Sequence, residues 1–444
     1  MMKVTFFSLG CDKNLVDSEK MLAGLKEKGY EITDIPEEAD AAVINTCCFI
    51  HDAKQESINT ILEAAGLKET AKLKYVIITG CLATRYADDI KALIPEVDAI
   101  IGSSASDELE NVLKKLETGS LKEKTVKKEI DREPELYMHR LHNTLKNHAY
   151  IKIADGCDKH CTYCVIPSIK GCYRSFKMED IVSEAKEAVA KGKNEIILVA
   201  QETTLYGVDI YGKKMIAELL RQINGIEGLE WIRLMYCYPE EIDDDLIEAM
   251  STCEKVCKYI DMPIQHISDN VLKRMGRKTN SQDIKDKINK LREKIPGIVI
   301  RTSLITGFPA ETEEEHEELL SFIKEYGLEK VGVFTYSKEE GTPAAKLKPQ
   351  VLKRIKERRK KELMLEQQKV VFAQNKALKG KVLRAVVEGF LPEENVYVAR
   401  TYRDAPDIDG CVFVESDREL VLGTMIDVKI RKASGYDLIG VLLS

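Results

Sequence analysis

Short apolar runs and amphipathic segments alternate along the first hundred residues. The strand-like stretches KVTFFSLG, AAVINT and YVIITG are separated by segments such as DSEKMLAGLKEKG, in which Met21, Leu22 and Leu25 share one helical face before Gly29 ends the turn. This βαβ alternation predicts a parallel sheet. A charged, weakly patterned connection runs from about Leu116 to Lys146, and then the alternation resumes. AYIKIADG, EIILVAQE, WIRLMYCY, YIDMPIQH, VIRTSLITG and KVGVFTYS are strand candidates, with helical stretches such as MEDIVSEAKEAVAKG and TEEEHEELLSFIKEYG between them. Six such units predict a parallel sheet curled into a partial barrel, with its site at the strands' carboxyl ends. A very basic helical stretch from Pro349 to Lys379 follows, and five short alternating strands fill Lys381 to Ser444, predicting a small closed β-barrel of the oligonucleotide-binding kind. The predicted fold class is α/β: an N-terminal parallel βαβ domain (residues 1–140), a central partial (β/α)6 barrel (141–348), a basic linker helix (349–380) and a C-terminal small antiparallel β-barrel (381–444).

Composition narrows the setting. A chain of 444 residues exceeds one ordinary core. It has no apolar run near the roughly 20 residues that would cross a membrane, and its start, MMKVTFFSLG, lacks the pattern of a secretory signal. The expected compartment is the cytoplasm. Twelve cysteines in such a chain argue against a disulfide framework, because cytosolic reductants keep thiols free for packing, metal or catalysis. Cys237, Cys253, Cys257 and Cys411 are read as plain core residues. His139, His142 and His148 have no partners at ligand spacing and are expected to be solvated. The net charge of −7 gives no reason to expect tight non-specific nucleic-acid binding. The basic stretch, with Leu352, Ile355, Leu363 and Leu365 among its Lys and Arg, reads as a solvated helix face packed on a neighbour rather than a phosphate-contacting strip. The last block carries eight Lys and Arg against eleven Asp and Glu, with Asp404, Asp407 and Asp409 clustered in RDAPDIDG. That balance suits a basic protein partner better than RNA.

The cysteines carry the chemistry. Each strand of the first block ends on one: SLGC at Cys11, INTC at Cys47 and ITGC at Cys81. Carboxyl ends of parallel strands lie along one edge, where α/β folds place their ligands, so these three should meet in space. Cys157, Cys161 and Cys164 fall within eight residues, just after the first strand of the second block. A closed zinc site needs four protein ligands, and only Cys172 and His160 stand nearby as a fourth. Redox chemistry of the thioredoxin kind would use CTYC and leave Cys157 unexplained. Three thiolates on a four-iron cluster would leave one iron open to a ligand.

The C-x-x-x-C-x-x-C spacing at Cys157, Cys161 and Cys164 resembles that of the radical S-adenosylmethionine enzymes. The resemblance implies a [4Fe–4S] cluster on these three cysteines whose free iron binds S-adenosylmethionine, with Tyr163 at the family's aromatic position by the adenine. LITGFPAET, with Ile305 and Gly307, resembles the strand that also lines the adenine. The first block, with SLGCDKNLVDSE, INTC and ITGC, is similar to the domain that precedes the radical domain in the methylthiotransferases. There Cys11, Cys47 and Cys81 would hold a second [4Fe–4S] cluster. Cys48 offers a neighbouring thiol, and Cys47 is chosen because it matches the NTC position. The third block resembles their TRAM barrel. Asp12 stands where many members have proline, and Ala310 where a glycine is usual.

GC-x-KNLVDSE, AQETTLYG, YIDMPIQHISDNVL and RDAPDIDG resemble the branch of this family that modifies a ribosomal protein. The implied reaction inserts a methylthio group at the β-carbon of an aspartate of small-subunit ribosomal protein twelve, giving 3-methylthioaspartate. One S-adenosylmethionine would methylate a sulfur held at the first-block cluster and another would supply the radical, with an electron donor and a sulfur donor as further partners. The alternatives are a tRNA adenosine methylthiotransferase and a non-catalytic iron–sulfur scaffold on the ribosome.

Overall fold

The computed structural model describes residues 2–132, 140–141 and 146–443; His139 and His142 lie outside the described residues. The first block is a six-stranded parallel sheet of β1 (Lys3–Ser8), β2 (Glu31–Ile32), β3 (Ala41–Thr46), β4 (Tyr75–Gly80), β5 (Ala99–Gly102) and β6 (Thr125–Val126), in the order β2-β1-β3-β4-β5-β6. Helices cover both faces, so the central strands are apolar throughout rather than alternating; every residue of AAVINT is buried. Val43 and Ile77 pack on one face with Met21 and Leu25, while Ile44 and Ile78 pack on the other with Ile61 and Leu82. The strand order reverses between β1 and β3, which opens a crevice outside their carboxyl ends.

A second parallel sheet contains β7 (His148–Lys152), β10 (Glu195–Val199), β11 (Trp231–Leu234), β12 (Val256–Asp261), β13 (Val299–Thr306) and β14 (Lys330–Thr335); a short hairpin, β8 (Ala154–Asp155) with β9 (Arg174–Ser175), stands beside it. Its outer face is an aliphatic core under helices, which takes in Cys237 and Cys253. On the inner face Tyr150, Val199, Trp231, Cys257, Tyr259 and Val299, from five different strands, fall into one contact cluster, as expected of a strongly curved sheet. Charges also line this face. Arg233 and Glu195 are both fully buried and bonded at 2.8 Å.

The third block closes as a barrel of β15 (Val382–Leu391), β16 (Val396–Thr401), β17 (Val412–Glu415), β18 (Met425–Ser434) and β19 (Asp437–Leu442). Four seams are antiparallel and β17–β19 is parallel. Five strands alternating in direction cannot close without one parallel pair. Cys411 precedes β17 half-buried, with its thiol against Asp437.

This barrel plugs the concave face of the second sheet. Arg400 reaches Glu195 at 2.5 Å, and Arg233 donates to the Tyr402 carbonyl at 2.9 Å. Burial would raise the Glu195 carboxyl, but Arg400 and Arg233 outweigh it and hold it at about 2. The acidic cluster of RDAPDIDG works in the same joint. Asp404 pairs with Lys330 at 2.6 Å, Asp409 accepts from the Tyr259 hydroxyl at 2.7 Å, and Asp407 pairs with Lys146. Asp404 and Asp409 therefore serve internal docking, not the free surface that their clustering suggested, while Asp407 stays exposed. The helix Lys353–Lys376 packs along Glu313–Tyr326 and β14, with Leu363 in the outer core and Arg359 buried against Glu311, while Leu352 and Leu365 remain exposed. Among the described residues no helix is long and apolar enough to cross a membrane.

His148 departs from its expected solvation. It opens β7 buried, edge-on to Tyr150 at 5.4 Å, with both ring nitrogens unpaired among the described residues. Burial, with Arg400 adding to it, pushes its pKa down to about 4 from 6.5. Because the folded ring stays neutral while the unfolded one takes a proton below pH 6.5, this stability is present above that pH and drains as pH falls toward 4. Urea denaturation of His148→Phe should therefore lose about 2 kcal/mol less than the parent between pH 7 and pH 5; parallel losses would contradict a buried neutral ring.

Candidate functional site

Three cysteines stand at the carboxyl ends of β1, β3 and β4. Cys11 caps the helix Asp12–Glu27, Cys47 follows β3 directly, and Cys81 opens the short helix Cys81–Arg85. The glycines before Cys11 and Cys81 permit this convergence. Gly10 and Gly80 have φ of +88° and +91°, and a Cβ at Gly10 would lie 2.5 Å from the Cys47 Cβ, one at Gly80 2.4 Å from Asn45 Oδ1. Side-chain amides tie the strand ends together. Asn14 donates to the carbonyls of Leu9 and Thr46, each at 3.0 Å, and Asn45 donates to the Asn14 carbonyl at 2.9 Å. Cys81 lies within electrostatic reach of Cys48, Cys11 and Cys47. Cys47 faces Gly10, whereas Cys48 is fully buried in the apolar cluster around Ile44 and Leu82. Burial pushes the Cys47 and Cys81 thiols up and takes Cys48 to about 11.

The second set lies in the loop between β8 and β9. Cys157 N–H donates to the Gly171 carbonyl at 3.1 Å, Cys164 N–H to the Cys161 carbonyl at 2.9 Å, and Thr162 N–H to the Met275 carbonyl at 2.9 Å. Burial pushes Cys157 to about 11 and Cys164 to about 12. Such thiols keep their protons at neutral pH until a cation displaces them. Cys172 and His160 are exposed, and the Cys172 backbone is held by Asp131. Tyr163 stands edge-on to Phe308 at 6.4 Å, and Ile305 shares their small apolar cluster. Gly307 packs against Lys356, with the room for a Cβ already filled by that side chain.

Two residues at this end of the second sheet carried no assigned role in the sequence. Glu202, just past β10, is fully buried; it accepts from Thr204 N–H at 2.9 Å but leaves Oε2 without a partner among the described residues, and burial raises it to about 7. Arg277 is buried, with Nε and Nη1 unpartnered among the described residues and its guanidinium 4.2 Å from the ring centre of Tyr238. The Tyr238 hydroxyl is 3.9 Å from Cys161 Sγ. A charged residue directly after an apolar strand, as in ILVAQE, was the available signal for Glu202. Among the described residues no three His, Cys, Asp or Glu side chains are arranged to hold a single metal ion. The donor set itself, three soft thiols beside an unpaired carboxylate oxygen and a guanidinium with two free nitrogens, fits an iron–sulfur cluster with a zwitterionic ligand.

Both cysteine sets border one interface. Val165 and Ile169, just after Cys164, belong to the same apolar cluster as Cys48, Cys81 and Leu82. Arg85, at the far end of the Cys81 helix, bonds Glu339 at 3.1 Å and the Glu340 carbonyl at 2.6 Å. A cavity of about 490 Å³ lies there, lined by Arg85 and Tyr86 from the first block and by Cys161 and Cys164 from the second. Beside Cys11, the Lys13 ammonium sits 3.2 Å from the ring centre of Tyr236, whose hydroxyl donates to Asp12 at 3.2 Å. Asp12 thus takes a joining role at its proline position.

Comparison with known proteins agrees with this three-part layout. Residues 3–102 match the uncharacterized protein family UPF0004, residues 151–323 the radical SAM superfamily and residues 380–443 the TRAM domain. The chain is 53% identical over 439 residues, 99% of each chain, to the ribosomal protein uS12 methylthiotransferase RimO of Lachnoclostridium phytofermentans. The chain belongs to the RimO family. RimO relatives from Acetivibrio thermocellus (48% identical, 100% of this chain and 98% of the relative) and Clostridium botulinum strain Eklund 17B (50%, 99% and 98%) match as fully. Among solved structures, the radical S-adenosylmethionine methyltransferase TsrM of Kitasatospora setae shares the fold at a TM-score of 0.57 and 15% identity, over 75% of this chain and 73% of that one. OxsB, a cobalamin-dependent radical enzyme, shares it at 0.55 and 12%, over 82% and 56%.

In this RimO-family chain the glycine before Cys11 makes a direct test of the convergence. Gly10→Ala should cost at least about 2 kcal/mol in urea denaturation, since the added Cβ meets Cys47 and the backbone is left-handed. Gly24→Ala, where a Cβ meets nothing within 4 Å inside a helix, should stabilise by up to about 1 kcal/mol. Equal, small effects at both positions would contradict the close approach of the β1 and β3 ends.

Proposed function

We propose that this chain is a methylthiotransferase acting on an aspartate of ribosomal protein uS12, with Cys157, Cys161 and Cys164 holding one [4Fe–4S] cluster and Cys11, Cys47 and Cys81 a second. The observation that carries the reading is that two three-cysteine sets border one interface in a chain 53% identical to a RimO methylthiotransferase. Bound there, the first cluster with S-adenosylmethionine would supply a carbon radical by one-electron cleavage, and the second a resting place for the sulfur to be transferred.

The protein's own residues do the positioning. Tyr163, Ile305 and Phe308 form an apolar wall suited to an adenine, with Gly307 in the following turn braced by Lys356. Glu202 Oε2 offers an acceptor for an ammonium group. The barrel of the third block closes the concave face of the second sheet and excludes water from it. A basic ribosomal protein also finds acidic groups on the outside of that barrel. Glu393, Glu394, Asp417 and Glu419 are exposed in its loops, with Arg418 among them; they, rather than the Asp404 cluster, supply the complementary charge. The division of labour follows residues 1–140 for sulfur delivery, 141–348 for radical generation, 349–380 as a brace and 381–444 for partner contact. The reaction belongs in the cytoplasm, with external donors of sulfur and electrons.

Anaerobic reconstitution with iron and sulfide should give about eight iron atoms per chain in the parent and about four in Cys47→Ala. Cys47→Ala should still form 5′-deoxyadenosine but no 3-methylthioaspartate on uS12, whereas Cys161→Ala should lose both. Zinc, or four irons in the parent, would contradict the two-cluster reading; modification of a tRNA anticodon arm with uS12 untouched would contradict the substrate.

A further inference from the structure

Several buried lysines in this chain reach carboxylates on other elements. Lys152 and Lys170 donate to Asp17, and Lys159 donates to Glu241. Lys13 is different. Only 8% of its side chain is exposed, and its Nζ donates no hydrogen bond among the described residues. It faces the ring of Tyr236, whose centre is 3.2 Å away, and lies 2.9 Å from Oδ1 of Asp12, its own neighbour in the chain. That oxygen already accepts from the Lys13 backbone N–H at 3.0 Å and from the Tyr236 hydroxyl at 3.2 Å. An ammonium has three donors to place, and leaving a charged donor buried without an acceptor costs more than leaving a neutral one.

The surroundings hold a second anomaly. Tyr236 lies just past the carboxyl end of β11, on the edge where parallel sheets place ligands. Its φ is +63°, a left-handed backbone that a bulky residue keeps only where its neighbours enforce it. Its N–H donates to Asp261 Oδ2 at 3.0 Å, its carbonyl accepts from Thr203 N–H at 3.0 Å, and Arg301 fixes Asp261 at 2.6 Å. The ends of β10, β11 and β12 thus hold one ring against one ammonium. Lys13 itself is two residues past Cys11, at the end of β1. It stands where the cysteine edge of the first sheet meets the carboxyl ends of the second.

We infer that Lys13 binds the side-chain carboxylate of the substrate aspartate, an assignment that rests on the function proposed above. The β-carbon to be modified must meet sulfur from the first block and the radical from the second, so it lies between them. The carboxylate is one bond from that carbon and leaves water with it. A desolvated carboxylate needs a cation with donors to spare, and Lys13 supplies both at that boundary.

Equilibrium binding to the anaerobically reconstituted protein tests this without reading turnover. Whole uS12 and its variant with Asn in place of the target aspartate are titrated into the parent, Lys13→Met and Lys13→Arg. The parent should prefer the Asp form by about 10- to 100-fold, Lys13→Met should show almost no preference, and Lys13→Arg should keep part of it. Survival of the preference in Lys13→Met overturns the assignment. That is the result expected if Lys13 only staples the two blocks together, which lowers both affinities alike, or if it holds the carboxylate of S-adenosylmethionine or an anionic sulfur, which both forms of uS12 meet equally. The preference is a ratio within one variant, so partial loss of folded protein does not change it; should the Met variant not fold, Lys13→Gln gives the same ratio. A parent that binds both forms equally also overturns the assignment and leaves the proposed function standing, whereas a parent that binds neither overturns the proposed function.

Discussion

Two buried lysines and two half-buried aspartates set the relation between the two parts that carry the cysteines. Asp17, on the first-block helix, bonds Lys170 at 3.2 Å and Lys152 at 2.5 Å; Lys152 lies 3.3 Å from Asp155, which also takes the Gln201 amide at 3.0 Å. Burial would raise Asp17, but Lys152 and Lys170 outweigh it and hold it ionised. Such a network contributes little more stability than apolar residues of the same size would. Removing one member, however, strands the others at a cost of about 3–5 kcal/mol. Its effect is to admit one relative placement of the parts. Lys170 ends the helix that begins just after Cys164, and its charge reaches Cys81, so the network that seats the first sheet on the second also sets the two cysteine groups across one boundary.

The second sheet needs its other neighbour for a similar reason. Its concave face carries Arg233, Glu195, Asp261 and Arg301, which an aliphatic plug could not satisfy. The third-block barrel brings Arg400, Tyr402, Asp404 and Asp409 to that face and its margin. The inside of the partial barrel is thus completed from two sides, by the first-block helix with Leu15 and Val16 and by the terminal barrel with Val386 and Ala405.

Much of this was legible along the chain, and what was not has physical causes. Parallel strands buried on both faces are unbroken apolar runs, so AAVINT, YVIITG and EIILV were plain. β2 and β6, of two residues each, lie in charged surroundings with no periodicity to show. The glycine–cysteine pairs at 10–11 and 80–81 pointed to convergence, but Cys47 and Cys48 could be ranked only by motif until Gly10 showed which of them turns toward Cys11. Charge was the least legible property. Asp404, Asp409 and His148 looked like surface residues because composition cannot say which polar groups are consumed when parts dock. Arg277 likewise stood out only through the partners it lacks.

On the proposed function the two cysteine sets would hold separate clusters facing one another across a single boundary. Electron paramagnetic resonance of the fully reduced protein reads that arrangement. The parent spectrum should differ from the sum of the spectra of Cys47→Ala and Cys161→Ala, with splitting or broadening from spin–spin interaction that neither variant shows. A parent spectrum equal to that sum would mean that the clusters do not face each other, and a signal from one variant only would mean that there are not two.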